Sequence, residues 1–310
     1  MNATLAAIAP RPTRPRRVQL AVPGSNARMI EKAAACDADH VFLDLEDAVA
    51  PNAKVGARRT VSEALLHLDW GTKTRCVRIN DLDTPYAYDD LTEVIGVAGS
   101  HLDVVMLPKV TRPEHIQFVD RLLTMLEHKH DIAHSIGLEI LIEEIEGLVN
   151  VESLCKTSRR LEAAILGVGD YSAAQGIAPS AVRGTSGYPG DLWHYPRFKL
   201  VAAARAAGIA AIDGPFADVR NGAAYAEECR TGALLGFDGK WALHPSQIGI
   251  AKQAFTPDLE DVRRARAIAA AYADAQAQGI GAVELDGMMI DVASVRLVSN
   301  TLRKADLFGM

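Results

Sequence analysis

The sequence is poor in cysteine, and the few it has are not grouped. Cys36, Cys76, Cys155 and Cys229 lie far apart and form no Cys-x-x-Cys pair. That argues against a disulfide framework or a zinc site and suits a reducing cytoplasm. No apolar run approaches the roughly 18 residues of a membrane span, so no membrane partner is expected. An excess of positive charge is also missing: 33 Lys and Arg stand against 39 Asp and Glu, a net charge of −6. This excludes a general nucleic-acid binder while leaving room for a local basic pocket. No Gly-x-Gly-x-x-Gly follows the first apolar run; Val22-Pro23-Gly24-Ser25-Asn26 stands there instead. A doubly wound dinucleotide-binding sheet is thereby disfavoured. The chain has no internal repeat and no low-complexity segment.

What is present is ordinary for a globular protein, with 49% apolar and 23% charged residues in 310. Residues 1–17 carry Pro10, Pro12, Pro15 and four arginines without the apolar core of a secretory signal. They are expected to form a mobile arm, with an organelle-targeting segment as the weaker alternative. Short apolar runs then follow at 18–24, 40–47, 74–81, 102–110, 136–144, 162–170, 210–215 and 239–245. Their apolar residues are continuous rather than alternating, as in parallel strands buried on both faces. Helix-like segments fill the gaps at 25–36, 52–66, 85–97, 112–128, 147–157, 192–207 and 218–235, with Ser25 as the expected first N-cap. Eight such units in about 250 residues predict an α/β protein, a (β/α)8 TIM barrel over 18–257. Residues 258–310 fall outside the repeat. A long helix at 258–278, a turn at 279–281, an extended stretch at 283–290 and a last helix at 292–304 form a C-terminal lid segment. The glycine turn would let this segment extend away from its own barrel.

Barrel enzymes gather their chemistry at the C-terminal ends of the strands. There the sequence places Asp44, Glu46 and Asp47, then Arg78, Asn80 and Asp81, then Lys109, Glu143 and Glu144, Asp170, Asp213 and His244. One charged strand end is usually a solvated loop residue. Several carboxylates converging with an arginine repel one another unless a cation neutralises them, and a divalent ion with oxygen ligands does so.

The motifs at these ends resemble the HpcH/HpaI aldolase and citrate lyase β-subunit superfamily. They are Ala21-Val22-Pro23-Gly24-Ser25-Asn26, Val41-Phe42-Leu43-Asp44-Leu45-Glu46-Asp47, Val77-Arg78-Ile79-Asn80, Leu107-Pro108-Lys109, Leu166-Gly167-Val168-Gly169-Asp170-Tyr171, Ala211-Ile212-Asp213-Gly214-Pro215 and Gly236-Phe237-Asp238-Gly239-Lys240-Trp241-Ala242-Leu243-His244-Pro245. Seven in order, covering the chain from residue 18 onward, make it resemble the CoA-thioester branch, within which it is most similar to the malyl-CoA and β-methylmalyl-CoA lyases. The free-acid aldolases carry a histidine where this chain has Asp47.

The resemblance implies a carbon–carbon lyase using Mg2+, or Mn2+, on an acyl-CoA thioester and a 2-oxo acid. Glu143 and Asp170 would be the metal ligands, Arg78 the arginine beside the reacting carbonyl, and Asp291 the lid's acid–base group. Arg28 and Lys32 would meet CoA phosphates, and Trp241 and Ala242 would line the CoA site. Glu46 and Asp47 would support the site. A homotrimer or hexamer with shared active sites is implied, because in this family the lid reaches a neighbouring subunit. Glu144 stands where the family usually has threonine and is a second acidic candidate. Plainer accounts compete: Arg28 and Lys32 as a solvated helix face, Asp291 as an N-cap, His244 as a structural residue, Trp193 and Trp241 as packing. The sequence gives Trp193-His194-Tyr195 no derivable role. Alternative activities are citramalyl-CoA lyase, malyl-CoA thioesterase, citrate lyase β-subunit or a non-catalytic barrel subunit.

Overall fold

The structure, a computed structural model, describes residues 11–182 and 190–310, so residues 1–10 of the expected arm lie outside the described residues. Eight parallel strands close into a barrel in chain order: β1 (Val18–Pro23), β2 (His40–Asp44), β3 (Thr74–Arg78), β4 (Val104–Leu107), β5 (Gly137–Ile142), β6 (Leu161–Leu166), β7 (Ala210–Asp213) and β8 (Gly239–Ala242), with β8 pairing back to β1. Alternation along each strand divides the core in two. Phe42, Cys76, Met106, Leu141, Ile165, Ile212 and Trp241 fill the barrel interior. Val41, Leu43, Val77, Val105, Ile140 and Leu166 face outward into the layer between sheet and helices.

The outer helices are α1 (Ala27–Ala34), α2 (Lys54–His67), α3 (Ala87–Ala98), α4 (Pro113–Lys129), α5 (Ile145–Leu154), the short α6 (Val168–Ala174) and α7 (Pro179–Val182), then α8 (His194–Ala207), α9 (Gly222–Leu235) and α10 (Ile248–Phe255). The first N-cap is Asn26, one residue beyond the expected Ser25; its Oδ1 accepts the Met29 N–H at 3.1 Å.

Residues 11–17 correct the expectation of a mobile arm. Arg11 donates to the carbonyls of Ala207 and Arg159, Arg14 pairs with Glu162 at 3.0 Å, Arg16 with Glu139 at 2.9 Å, and Arg17 with Asp39 at 2.7 Å. The arginines bind this segment across the N-terminal, closed end of the barrel. Gly239 makes room for it: a Cβ there would lie 1.7 Å from the Arg16 carbonyl oxygen.

The C-terminal appendage is α11 (Leu259–Ala277), an antiparallel hairpin of β9 (Val283–Leu285) and β10 (Met288–Ile290), and α12 (Val292–Leu307), which packs along α11. Asp286 (φ 51°) and Gly287 (φ 76°) form the two-residue hairpin turn in the left-handed region that such turns require. The segment was expected to extend away from its own barrel, but the end of α12 returns to the closed end. Lys304 Nζ donates to the Phe237 carbonyl at 3.3 Å, and Arg17 lies 4.3 Å from the Phe308 ring centre.

Candidate active site

The open end of the barrel is organised around Arg78. As the last residue of β3 it points inward, in register with Asp44 on β2. Its Nε and one terminal nitrogen donate to the two Asp44 oxygens at 2.8 and 2.7 Å, and its other terminal nitrogen lies 2.9 Å from Glu46. Asp44 is itself held by the backbone N–H groups of Glu46 and Ala48 at 2.9 and 3.0 Å. Beneath the guanidinium lie the rings of Trp241 and Phe42, centred 5.6 and 5.9 Å away. Clamped from the side and below, the guanidinium is fixed before any ligand arrives.

Lys109 joins this group from β4. Its ammonium donates to Glu46, and its backbone takes φ 50°, uncommon for a side-chain-bearing residue. That conformation aims its N–H at Glu143 Oε1, 2.9 Å away. Glu143, just past β5, is 2% exposed. Burial pushes its carboxyl up to about 8, with the nearby Glu46 adding to the rise and Arg78 and the Lys109 N–H opposing it. Burial likewise raises Glu46 against the pull of Arg78 and Lys109. Gly167, just past β6, lets Glu143 lie flat: a Cβ there would sit 2.6 Å from both Glu143 Cβ and Oε2. Asp170 follows in the first turn of α6, half-buried, with no hydrogen bond or ion pair among the described residues. The donor set fits a divalent cation with oxygen ligands. One carboxyl is buried with its charge incompletely compensated, and a second, unpaired among the described residues, follows the adjacent strand in the first turn of α6.

The other expected residues divide. Asp47 is exposed and reaches Arg78 at 3.8 Å and Lys109 at 3.9 Å. Glu144 turns away from Glu143 and lines a lateral pocket with Asp81, Arg112 and His115. Arg28 and Lys32 lie exposed on α1, which starts at the open end because it follows β1. Trp241 and Ala242 have buried side chains: the indole faces the barrel interior and donates to Gln19 Oε1 at 2.9 Å, and Ala242 packs outward. Along that segment a ligand can meet the backbone and the exposed Leu243, not these two side chains. Asp213 is a correction to the expected carboxylate ring. Strand parity turns it outward, where it binds Arg197 at 3.0 Å and Lys240 at 2.6 Å. Burial opposes its charge, but those two cations hold its carboxyl below the usual range. His244 Nδ1 accepts the Ser246 N–H at 3.2 Å, a capping role. Trp193 donates to Ser172 Oγ at 2.9 Å, and His194 is exposed beside Phe198. Asp291 caps α12, its Oδ1 accepting the Ser294 N–H at 2.9 Å, and makes no polar contact with the open end.

Two members of the strand-end set had been given no role of their own. Asp44 and Lys109 both stood at strand ends inside quoted motifs, and inward parity was the available signal. A second cluster, His40, Cys76 and Glu139, lies inside the barrel with its ligand atoms within 4.8 Å of one another. Glu139 is already satisfied by Arg16 and Gln19, at 2.9 and 3.0 Å. Burial and the Arg16 charge hold His40 well below its ordinary range. The same positive charge opposes a cation there.

Fold and open end together define a barrel enzyme whose immobilised arginine lies among acidic side chains that include the buried Glu143. The chain belongs to the HpcH/HpaI aldolase/citrate lyase family, whose model matches residues 17–245. It is 39% identical to the L-malyl-CoA/β-methylmalyl-CoA lyase of Cereibacter sphaeroides, over 97% of this chain and 98% of that protein. It is 34% identical to the human mitochondrial citramalyl-CoA lyase, over 94% and 86%. Among solved structures it is similar to the protein CitE of Mycobacterium tuberculosis in complex with magnesium, acetoacetate and coenzyme A. That match has a TM-score of 0.72 at 28% identity and covers 93% of this chain and 97% of that one.

Proposed function

We propose that the chain is a magnesium-dependent acyl-CoA lyase. It would reversibly cleave L-malyl-CoA or β-methylmalyl-CoA to glyoxylate and acetyl-CoA or propionyl-CoA. The observation that carries this reading is the buried, incompletely compensated Glu143 carboxyl beside the fixed Arg78, with Asp170, unpaired among the described residues, following the next strand. Glu143 and Asp170 would hold Mg2+, or Mn2+ in its place; bound there, the ion supplies Lewis-acid polarisation and orientation of the oxo acid. Arg78 remains protonated throughout and offers a fixed charge to the oxyanion that develops as the carbon–carbon bond changes. Glu46 bridges Arg78 and Lys109 and keeps both in place, with Asp47 reinforcing them from the rim.

Arg28 and Lys32, one helical turn apart and without an ion pair among the described residues, would take the CoA phosphates. The thioester would run along the segment after β8. Asp291 would remove the α-proton of the acyl-CoA in condensation and return it in cleavage. It would do so in a neighbouring subunit of a trimer or hexamer. The appendage offers apolar surface for that assembly, with Leu297 82% and Met289 75% exposed. Residues 18–257 would then be the barrel and 258–310 the lid. Four free thiols support a cytoplasmic setting, and no helix among the described residues is long and apolar enough to cross a membrane.

The test supplies malyl-CoA and citramalyl-CoA with Mg2+ or EDTA and resolves glyoxylate, pyruvate and free acid. Glyoxylate with acetyl-CoA, only with the metal, is the expected result. Pyruvate as the sole oxo acid would transfer the chain to citramalyl-CoA cleavage, and free malate would make it a thioesterase. Full activity in EDTA would remove the metal from the reading.

A further inference from the structure

A cavity among the described residues lies at the closed end of the barrel, away from the proposed active site. It has a volume of about 620 Å3 and is walled by the segment before β1, the starts of β6 and β7, and the last turns of α12. Its charge is unbalanced. On one wall three cations share a single carboxylate: Arg205 lies 2.9 Å, Arg303 3.3 Å and Lys304 3.7 Å from Asp238. Arg11, which also lines the cavity, donates among the described residues only to main-chain carbonyls, those of Arg159, Ala207 and Ser158. Arg14, beside it, is already paired with Glu162 and Asp103. The crowding is felt at Lys304: burial lowers its ammonium below the ordinary lysine range, and the charges of Arg205 and Arg303 add to the drop against the pull of Asp238. The rest of the lining suits an organic molecule. Ser299 and Asn300 offer polar groups, and Pro12, Ile209 and Leu307 an apolar wall.

We propose that this pocket binds a small organic phosphate of two or more negative charges. Guanidinium groups converging from three elements match phosphate oxygens in both charge and fork geometry. The volume falls in the range of small-molecule sites. An occupant would also tie α12 to the barrel. Arg303 and Lys304 come from that helix, Arg205 from α8 and Arg11 from the N-terminal segment, so one anion would bridge all three. The inference does not depend on the activity proposed for the open end.

The experiment is calorimetric titration of the full-length protein with pyrophosphate and, separately, with ATP. Hydrogen exchange is followed over residues 292–307. Ser299→Glu adds a negative charge to the pocket and removes no ion pair, because the Ser299 hydroxyl bonds only the Arg296 carbonyl. Arg303→Gln removes one of the converging cations. The expected result is saturable binding of both probes that weakens at least tenfold in each variant and is unchanged in Arg28→Ala/Lys32→Ala. Tighter binding of ATP than of pyrophosphate would show the apolar wall contributing. Slowed exchange in α12 on binding is expected as well. Absence of saturable binding, equal affinity in Ser299→Glu, or loss of binding in the Arg28/Lys32 variant would overturn the proposal. The last outcome would assign the anion to the open end instead. Lyase assays of the same variants report separately on the proposed activity.

Discussion

Glu143 concentrates the chemistry of the open end in one side chain. The folded chain resists its ionisation, so between the ordinary value of 4.5 and about 8 the native state binds more protons than the unfolded one. Stability must then fall as pH rises through that window. In chelator, the melting temperature is expected to drop between pH 5 and 8. Glu143→Gln should flatten the curve and be the more stable protein at pH 8. A wild-type curve already flat across this range would mean that the carboxyl is ionised without difficulty and that the metal argument lacks its main support. Mg2+ should bind more tightly as pH rises, since it competes with that proton. Arg78 makes a complementary demand. Its two bonds to Asp44 and its contact with Glu46 use the planar guanidinium fork, which lysine lacks. Arg78→Lys keeps the charge and loses the alignment, so kcat/KM should fall by about 100-fold or more. Near-normal turnover would show that charge alone suffices there.

At the scale of strands and turns, position follows from parity and from glycine. Both ligand candidates follow adjacent strands, and Gly167 leaves room for Glu143 against the end of β6. Gly167→Ala would place a methyl group 2.6 Å from Glu143, whereas a Cβ at Gly169 meets nothing within 4 Å. The second change also sits in helix α6, where alanine is worth up to about 1 kcal/mol over glycine. Gly169→Ala is therefore expected to leave Mg2+ affinity intact and Tm unchanged or raised. Gly167→Ala should lose at least tenfold in Mg2+ affinity. Equal affinities would show that Glu143 is not where the metal is held. The strands were legible because continuous apolar runs such as 104–107, bounded by turn residues and repeated along the chain, fit burial on both faces of a parallel sheet. The strand-end charges were legible as a set, because barrel topology brings them to one end. Their directions were harder to read. Asp213 ends its strand as Arg78 does, yet the side chain before it, Ile212, fills the interior, so Asp213 must face out. The same parity sends Trp241 inward. Arg11–Arg17 read as a mobile arm because their acidic partners Glu139, Glu162 and Asp39 lie 22 to 148 residues away and local pattern does not reveal them.

The whole molecule poses the question of where Asp291 acts. Within one chain it caps α12 and touches none of Asp44, Arg78, Lys109 or Glu143, while the far end of that helix is tied to the closed end of the barrel through Lys304 and Phe237. The cap lowers its carboxyl pKa, through hydrogen bonds from the Ser294 backbone and hydroxyl. An acid–base role would require those bonds to give way in a drier site, and an exposed apolar surface beside it marks where such a site could be closed. Met289, Val292 and Leu297 are 75%, 58% and 82% exposed in the single chain. If a neighbouring barrel covers them, Asp291 arrives at that neighbour's Arg78 and Glu143, and assembly becomes a condition of catalysis. Asp291→Asn keeps size and capping ability but removes the base, so α-proton exchange of acetyl-CoA should collapse while Mg2+ and CoA still bind. Glu143→Ala should be inactive for the opposite reason, with an intact lid over a site that lacks its metal ligand. Mixed and allowed to exchange subunits, the two inactive proteins should regain activity, because some sites would combine an intact metal centre from one chain with an intact Asp291 from another. With random mixing of equal amounts, about a quarter of such shared sites would be whole, so recovery should approach a quarter of the wild-type rate per site. Native mass spectrometry of isotopically labelled subunits establishes that exchange has taken place. Exchange without recovery would mean that Asp291 serves its own chain or only caps its helix.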